Sequence, residues 1–348
     1  SDMAKLSVYH DCFGAVVAHV IVTVVMKIKT LDSCTALPGG TIRIEVEGLE
    51  DPSEVQVEVG GVNAEILAAS TKALSIRIPD KCKNDLVVRN AHEANMRLQV
   101  GRLVTSELHS VGNPVVDSMG NVYVTYSGTR GEKVPFGVFV VHPDGSKHPF
   151  LAEVINPTGL AIGRDEYLYI SSRYNGDIYR STFDKQVEKY IDGLGLASGL
   201  VFDSQDNLLV GDRGGTIYKV DPNRNITVLC ELEPSVSAYH LAIGPDDTLF
   251  VTGPTLATQD CIYKVSPKGQ VGVLFKGLGR PQGLGFDPQG NLQVVASYQG
   301  KKGLYTFQHG EPKLSVAGPM LVGLAYDSGG KVLYLVDSTN LFRLEWTE

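Results

Sequence analysis

Tryptophan and cysteine are scarce. The 348-residue chain holds one Trp, Trp346, and five Cys, at positions 12, 34, 82, 230 and 261. An odd count with no C-x-x-C pair excludes a disulfide framework and a zinc knuckle. Reduced thiols of this kind fit the cytoplasm. Basic charge is also short: 31 Lys and Arg stand against 39 Asp and Glu, a net charge of −8. That excludes a nucleic-acid binder working through a basic face. The long apolar run, residues 13–26 (FGAVVAHVIVTVVM), has 14 residues and carries His19. It is too short for a membrane span. No Walker loop, G-x-S-x-G, H-E-x-x-H or dinucleotide fingerprint occurs. What is plentiful is glycine, at 38 residues, in a chain that is 43% hydrophobic and 20% charged. That is an ordinary globular balance, and with many Val, Ile and Tyr it points to strands and turns rather than bundled helices.

The N-terminus carries three readings. Ser1-Asp2-Met3 looks like a tag remnant ahead of a start Met. Lys5 before the apolar run fits a signal segment, whereas Lys27 and Lys29 after it, with no A-x-A site, speak against one. Leu31-Asp32-Ser33-Cys34 is a poor lipobox, with Asp32 out of place. In the third reading Met26 is the native start and residues 3–25 are upstream read-through. Residues 1–33 therefore stand as an unassigned segment, and secretion follows only if residues 3–33 act as a signal.

Residues 34–101 show period-two alternation between turn signals. Thr41–Glu47, Val55–Val59 and Leu74–Ile78 alternate, and Gly48, Gly60-Gly61 and Pro79 end them. Leu86–Val88 and Met96–Val100 complete a set of short strands, which predicts a small β-sandwich. Pro38-Gly39-Gly40-Thr41, the stretch Val57–Ala64 and Ile76-Arg77-Ile78-Pro79 resemble the IPT/TIG immunoglobulin-like family. The resemblance implies a spacer or interaction module, with a protein or glycan as its partner. No titratable cluster appears in this segment.

Residues 102–348 repeat. The pattern is Gly-Leu, a small residue, an aromatic or aliphatic one, then an anchor at Asp117, Gly163, Asp203, Gly244, Asp287 and Asp327. The anchors are spaced about 42 residues apart, the length of a four-stranded propeller blade. A second strand follows each anchor, and a third carries pairs such as Ile178-Tyr179 and Ile217-Tyr218. The sixth copy stops after its third strand, and Leu103–Leu108 ahead of the first is free to complete it. The expected fold is all-β: an Ig-like sandwich and a six-bladed β-propeller closed by its N-terminal strand, with no exposed edge left at the seam.

Pro157-Thr158-Gly159-Leu160-Ala161, Gly176-Asp177-Ile178-Tyr179-Arg180 and Arg280-Pro281-Gln282-Gly283-Leu284 carry a resemblance to NHL-repeat propellers and the gluconolactonase/regucalcin family. The resemblance implies a site at one mouth of the central channel and a divalent metal, calcium. That family's ligands, a Glu, an Asn and an Asp, match Gly112, then Thr158 or Ser198, then Gln282 in this chain. None of these is a carboxylate, and a hard cation such as calcium wants several anionic or carbonyl oxygens. The metal ligands are therefore unknown.

Residues around the expected mouth supply the candidates. Gly159, Gly199, Gly283 and Gly323 stand four before their anchors, where Asn113 and His240 replace glycine. His240 is read as a general base, oriented by Asp212. Arg173 and Arg213 share a register after the second strands of adjacent copies, with Arg213 as an oxyanion donor. Arg173, Tyr174, Tyr239, Gln282 and Asn113 are read as substrate contacts. The leading function is a small-molecule hydrolase acting on an ester, lactone or phosphoester. The alternative is a non-enzymatic propeller that binds a glycan or a protein.

Overall fold

The computed structural model describes the chain except residues 1–3, 11–15, 23–24, 91 and 347–348. The tag-like Ser1-Asp2-Met3 and Cys12 lie outside the described residues; Cys34, Cys82, Cys230 and Cys261 are free thiols. The chain divides into two compact units, Ser1–Val100 and Gly101–Glu348. No α-helix occurs among the described residues, only a turn of 3-10 helix at Pro52–Glu54.

In the first unit Ala4–His10 pairs antiparallel with Val16–Val22. One four-stranded sheet runs in the order Lys27–Leu31, Thr41–Glu47, Ala73–Arg77, Glu65–Ala69. A second runs Glu93–Met96, Leu86–Arg89, Gln56–Val59, Val62–Asn63. Thr41–Glu47 turns Ile42, Ile44 and Val46 inward and its polar residues out, as the period of two requires. Lys27–Leu31 pairs with Thr41–Glu47, so this sheet begins inside the segment that the sequence pattern left unassigned.

The second unit is a β-propeller built from repeated four-stranded sheets. In the second repeat, Pro157–Ile162, Leu168–Ser172, Ile178–Ser181 and Val187–Ile191 pair in chain order. The sheet containing Leu321–Tyr326 is completed from the other end of the unit. Arg102–Thr105 lies antiparallel to Leu341–Glu345, with Leu103 opposite Phe342. Each anchor aspartate braces the turn after its inner strand. Asp203 accepts the amides of Gln205 and Asn207 and is held by Lys219 at 3.2 Å. Where the anchor is Gly163, the carboxylate moves to Asp165 and curls back over the bare Cα: a Cβ there would lie 2.3 Å from Asp165 Oδ1.

The inner strands approach one another at the ring of glycines. A Cβ on Gly159 would sit 2.1 Å from Ser198 O, and one on Gly199 would sit 2.6 Å from Tyr239 O. Both obstacles are backbone, which has little freedom to give way. Gly159→Ala is therefore expected to cost about 1–3 kcal/mol or more. Urea unfolding followed by tyrosine fluorescence measures it, and an unchanged midpoint would show that the inner ring repacks freely.

Candidate functional site

The inner strands and the loops above them enclose two adjacent cavities. The smaller, of about 120 Å3, is lined by Arg130, Arg173 and Arg213 over Val111, Thr158 and Ser198. The larger, of about 460 Å3, is the channel, walled by Leu160, Leu200 and Leu241, with His240 among its lining residues. Val111, Thr158 and Ser198 line both.

Each arginine is set by a separate device. Arg173 follows Leu168–Ser172, and Arg213 follows Leu208–Asp212, so the shared register places both at the ends of second strands. Arg213 Nε donates to Ser235 O at 3.1 Å. Arg173 Nη2 donates to Gly128 O at 3.0 Å, while its Nε is buried without a partner. Arg130 comes from the long loop of the first repeat, a residue the sequence reading missed. Asn156 holds that loop: Oδ1 accepts Gly131 N at 2.6 Å, and Nδ2 donates to Thr129 O at 2.8 Å and to Ser127 O. Asn156 is fully buried and sits at φ 47°, a left-handed conformation that Asn tolerates better than most residues. Burial first, then the Arg213 and Arg130 charges, hold the Arg173 guanidinium below its ordinary value. Among the described residues no carboxylate pairs with any of the three. Such a group attracts an anion and positions it by forked hydrogen bonds.

His240 opens the strand His240–Ile243, opposite Thr252. The residue is 4% exposed, and Nε2 has no hydrogen-bond partner. On the adjacent segment Gln282 O accepts the Thr252 hydroxyl, and the next inner strand starts only at Leu284. Asp212 does not orient His240. Its Oδ1 accepts the amides of Leu196 at 2.7 Å and Gly214 at 3.1 Å, so the carboxylate braces its own loop. Burial pushes the His240 imidazolium down from 6.5 to about 4. The unfolded chain binds that proton near 6.5 and the folded chain only near 4, so acid favours unfolding between the two. The stability at stake is about 3 kcal/mol; it is intact above pH 6.5 and is lost as the pH falls to about 4. His240→Leu is expected to flatten the decline of the urea midpoint across that window. Equal slopes for the two proteins would show that His240 titrates as in a free chain.

The other expected contacts divide. Tyr239 is among the residues lining the channel, but its ring packs into the core with Leu209, Ile217 and Leu241, and its hydroxyl donates to Glu233 O. Asn113 stitches two inner strands, donating to Leu284 O at 2.8 Å and accepting Leu324 N at 3.2 Å. Tyr174 is half exposed near Gly131. Gln282 is half-buried and lines neither cavity.

The ring of family-matched metal positions does not fit calcium. Thr158 Oγ1 donates to Asn156 O, and Ser198 Oγ donates to Gly211 O while accepting Tyr239 N. These are neutral hydroxyls already engaged, beside Gly112 and an amide, Gln282. Among the described residues no group of three or more His, Cys, Asp or Glu is placed to hold a metal.

No family model matches the chain, and no curated protein matches it in sequence. Solved structures do. A gluconolactonase from Xanthomonas campestris is 16% identical with a TM-score of 0.58, covering 70% of this chain and 89% of that one. An auxiliary nutrient binding protein from Bacteroides thetaiotaomicron is 10% identical with a TM-score of 0.52, covering 92% and 97%. A catalytically inactive variant of virginiamycin B lyase from Staphylococcus aureus is 13% identical with a TM-score of 0.51, covering 99% and 100%. At these identities the likeness establishes the fold alone.

Proposed function

We propose that residues 102–348 form a six-bladed propeller that binds a small organic anion, a carboxylate or phosphate, at its channel mouth. The observation that carries this is the arginine cluster, three guanidinium groups on one small cavity, Arg173 and Arg213 partly buried and Arg130 exposed, without a carboxylate among them. Like charges are held together there at a cost in free energy, and an anion offsets it. The smaller unit is read as an immunoglobulin-like spacer of the IPT/TIG type. Nutrient binding, named for one structural neighbour, is the same class of role.

The test is a thermal melt of the full chain with phosphate, acetate and a neutral sugar. At a hundred times its Kd an anion stabilises by about 2.7 kcal/mol, and the neutral sugar by nothing. Melts unmoved by any anion at tens of millimolar would end this reading.

A second reading, hydrolysis of an ester, lactone or phosphoester, is favoured by His240. Its imidazole is neutral at physiological pH, as a general base must be. A conjugate acid near 4 makes it a weak base, which is why binding stands first. Under the hydrolytic reading His240→Ala lowers turnover of activated esters, lactones or phosphotriesters by about 100-fold. Equal rates for wild type and variant would remove His240 from any mechanism.

A further inference from the structure

The arginine cavity, at about 120 Å3, is smaller than the roughly 300–1,000 Å3 of ordinary small-molecule sites. It has room for a charged head but not for a whole ligand. The channel beside it, at about 460 Å3, falls inside that range. Three residues, Val111, Thr158 and Ser198, belong to both linings, so a molecule seated in one meets the other at once. The two cavities differ in chemistry. The first is cationic. The second is lined by the inner strands themselves, with apolar residues such as Leu160, Leu200 and Leu241 beside glycines and the hydroxyls of Thr158 and Ser198. Asn113, also on its lining, is committed to backbone on both sides of its amide, whereas His240 Nε2 is buried and unpaired. A buried polar nitrogen without a partner is a standing cost to the free protein, which a ligand group that bonds it returns to the complex.

We propose that the ligand is an amphipathic organic anion: its charged head sits among Arg130, Arg173 and Arg213, and its apolar body enters the channel and hydrogen-bonds His240. This rests on the anion-binding reading of the mouth and adds the second half of the site. A neutral imidazole carries one donor and one acceptor nitrogen, so a hydroxyl on the body satisfies Nε2 in either tautomer. A bare inorganic anion fills only the head position.

Calorimetry on the full chain tests this with inorganic phosphate, phenyl phosphate, acetate, benzoate and 4-hydroxybenzoate. The two heads distinguish phosphate from carboxylate ligands. Adding the ring to the preferred head is expected to tighten binding by at least about tenfold, because a buried aryl group contributes more than 1.4 kcal/mol. The ring hydroxyl is expected to add about fivefold or more in wild type, and His240→Leu to abolish that increment, read as the ratio of 4-hydroxybenzoate to benzoate affinity within each protein. Ring-bearing and bare anions binding wild type equally would overturn the proposal and leave the anion site standing. A hydroxyl increment that survives His240→Leu would also overturn it. If wild type binds none of the five, the anion reading fails and this inference with it. The ligand series on wild type needs no variant, so a poorly folding His240→Leu leaves the test intact.

Discussion

Arg173→Met is expected to weaken phosphate or carboxylate binding by about 100-fold, close to 3 kcal/mol, without lowering the melting temperature of the free protein. Charge-assisted hydrogen bonds to a guanidinium fork carry that loss, and a methionine of similar reach restores none of them. Stability moves the other way. Arg173 is half-buried beside Arg213 and Arg130, and its Nε is unpaired, so the substitution removes like-charge repulsion and an unsatisfied donor. Against this stands one lost hydrogen bond, to Gly128 O at 3.0 Å, worth about 1 kcal/mol. The sum is near zero or favourable. Melts of both proteins in chloride and in phosphate separate the terms. Wild type rises in phosphate and the variant does not. A variant that melts several degrees lower in chloride, and still gains from phosphate, would make Arg173 a structural residue and return the mouth to an ordinary surface.

Much of this site was legible because the chain repeats. A register copied across sheets tells where a side chain leaves the inner or second strand without knowing its neighbours. That is how Arg173 and Arg213 were found together, and how Gly159, Gly199, Gly283 and Gly323 were read as a tight ring. Where the repeat is interrupted, the reading stopped. Arg130 lies between Val122–Thr125 and Val138–Val141, a connection longer than its sisters, so no register reached it. Asn156 and its left-handed backbone were equally hidden, since Asn before Pro157 signals only a turn. Register also says nothing about rotation or partners. Tyr239 has the ring position expected of a mouth residue, yet its ring fills the core between sheets. Asp212 lies near enough in sequence register to serve His240, but the amides of Leu196 and Gly214 claim its carboxylate. In both cases local hydrogen bonding and apolar burial settle the side chain before any distant group reaches it.

Asn113 is the residue on which the two descriptions differ most in what they predict. Its place in the ring marks it as a ligand contact, because four sister copies have glycine there. Its bonds mark it as a clamp. The amide donates to Leu284 O at 2.8 Å and accepts Leu324 N at 3.2 Å, joining the inner strands of the fifth and sixth repeats across the channel wall. It also crowds Gly283: a Cβ there would lie 2.2 Å from Asn113 Oδ1, and 2.6 Å from the Cα of Gly323. Asn113→Ala removes both bonds and leaves a carbonyl and an amide of the inner ring unpaired, a loss of about 2–4 kcal/mol. For a unit of this size that lowers the melting temperature by about 5–10 °C. Asn113→Asp is expected to fare little better, since a carboxylate facing Leu284 O has no proton to donate at neutral pH. Affinity for phosphate or acetate, measured well below the lowered melting point, should stay within about twofold of wild type, because neither backbone partner belongs to the arginine cavity. A variant with wild-type stability and weakened anion binding would instead make Asn113 the ligand contact that its ring position suggests.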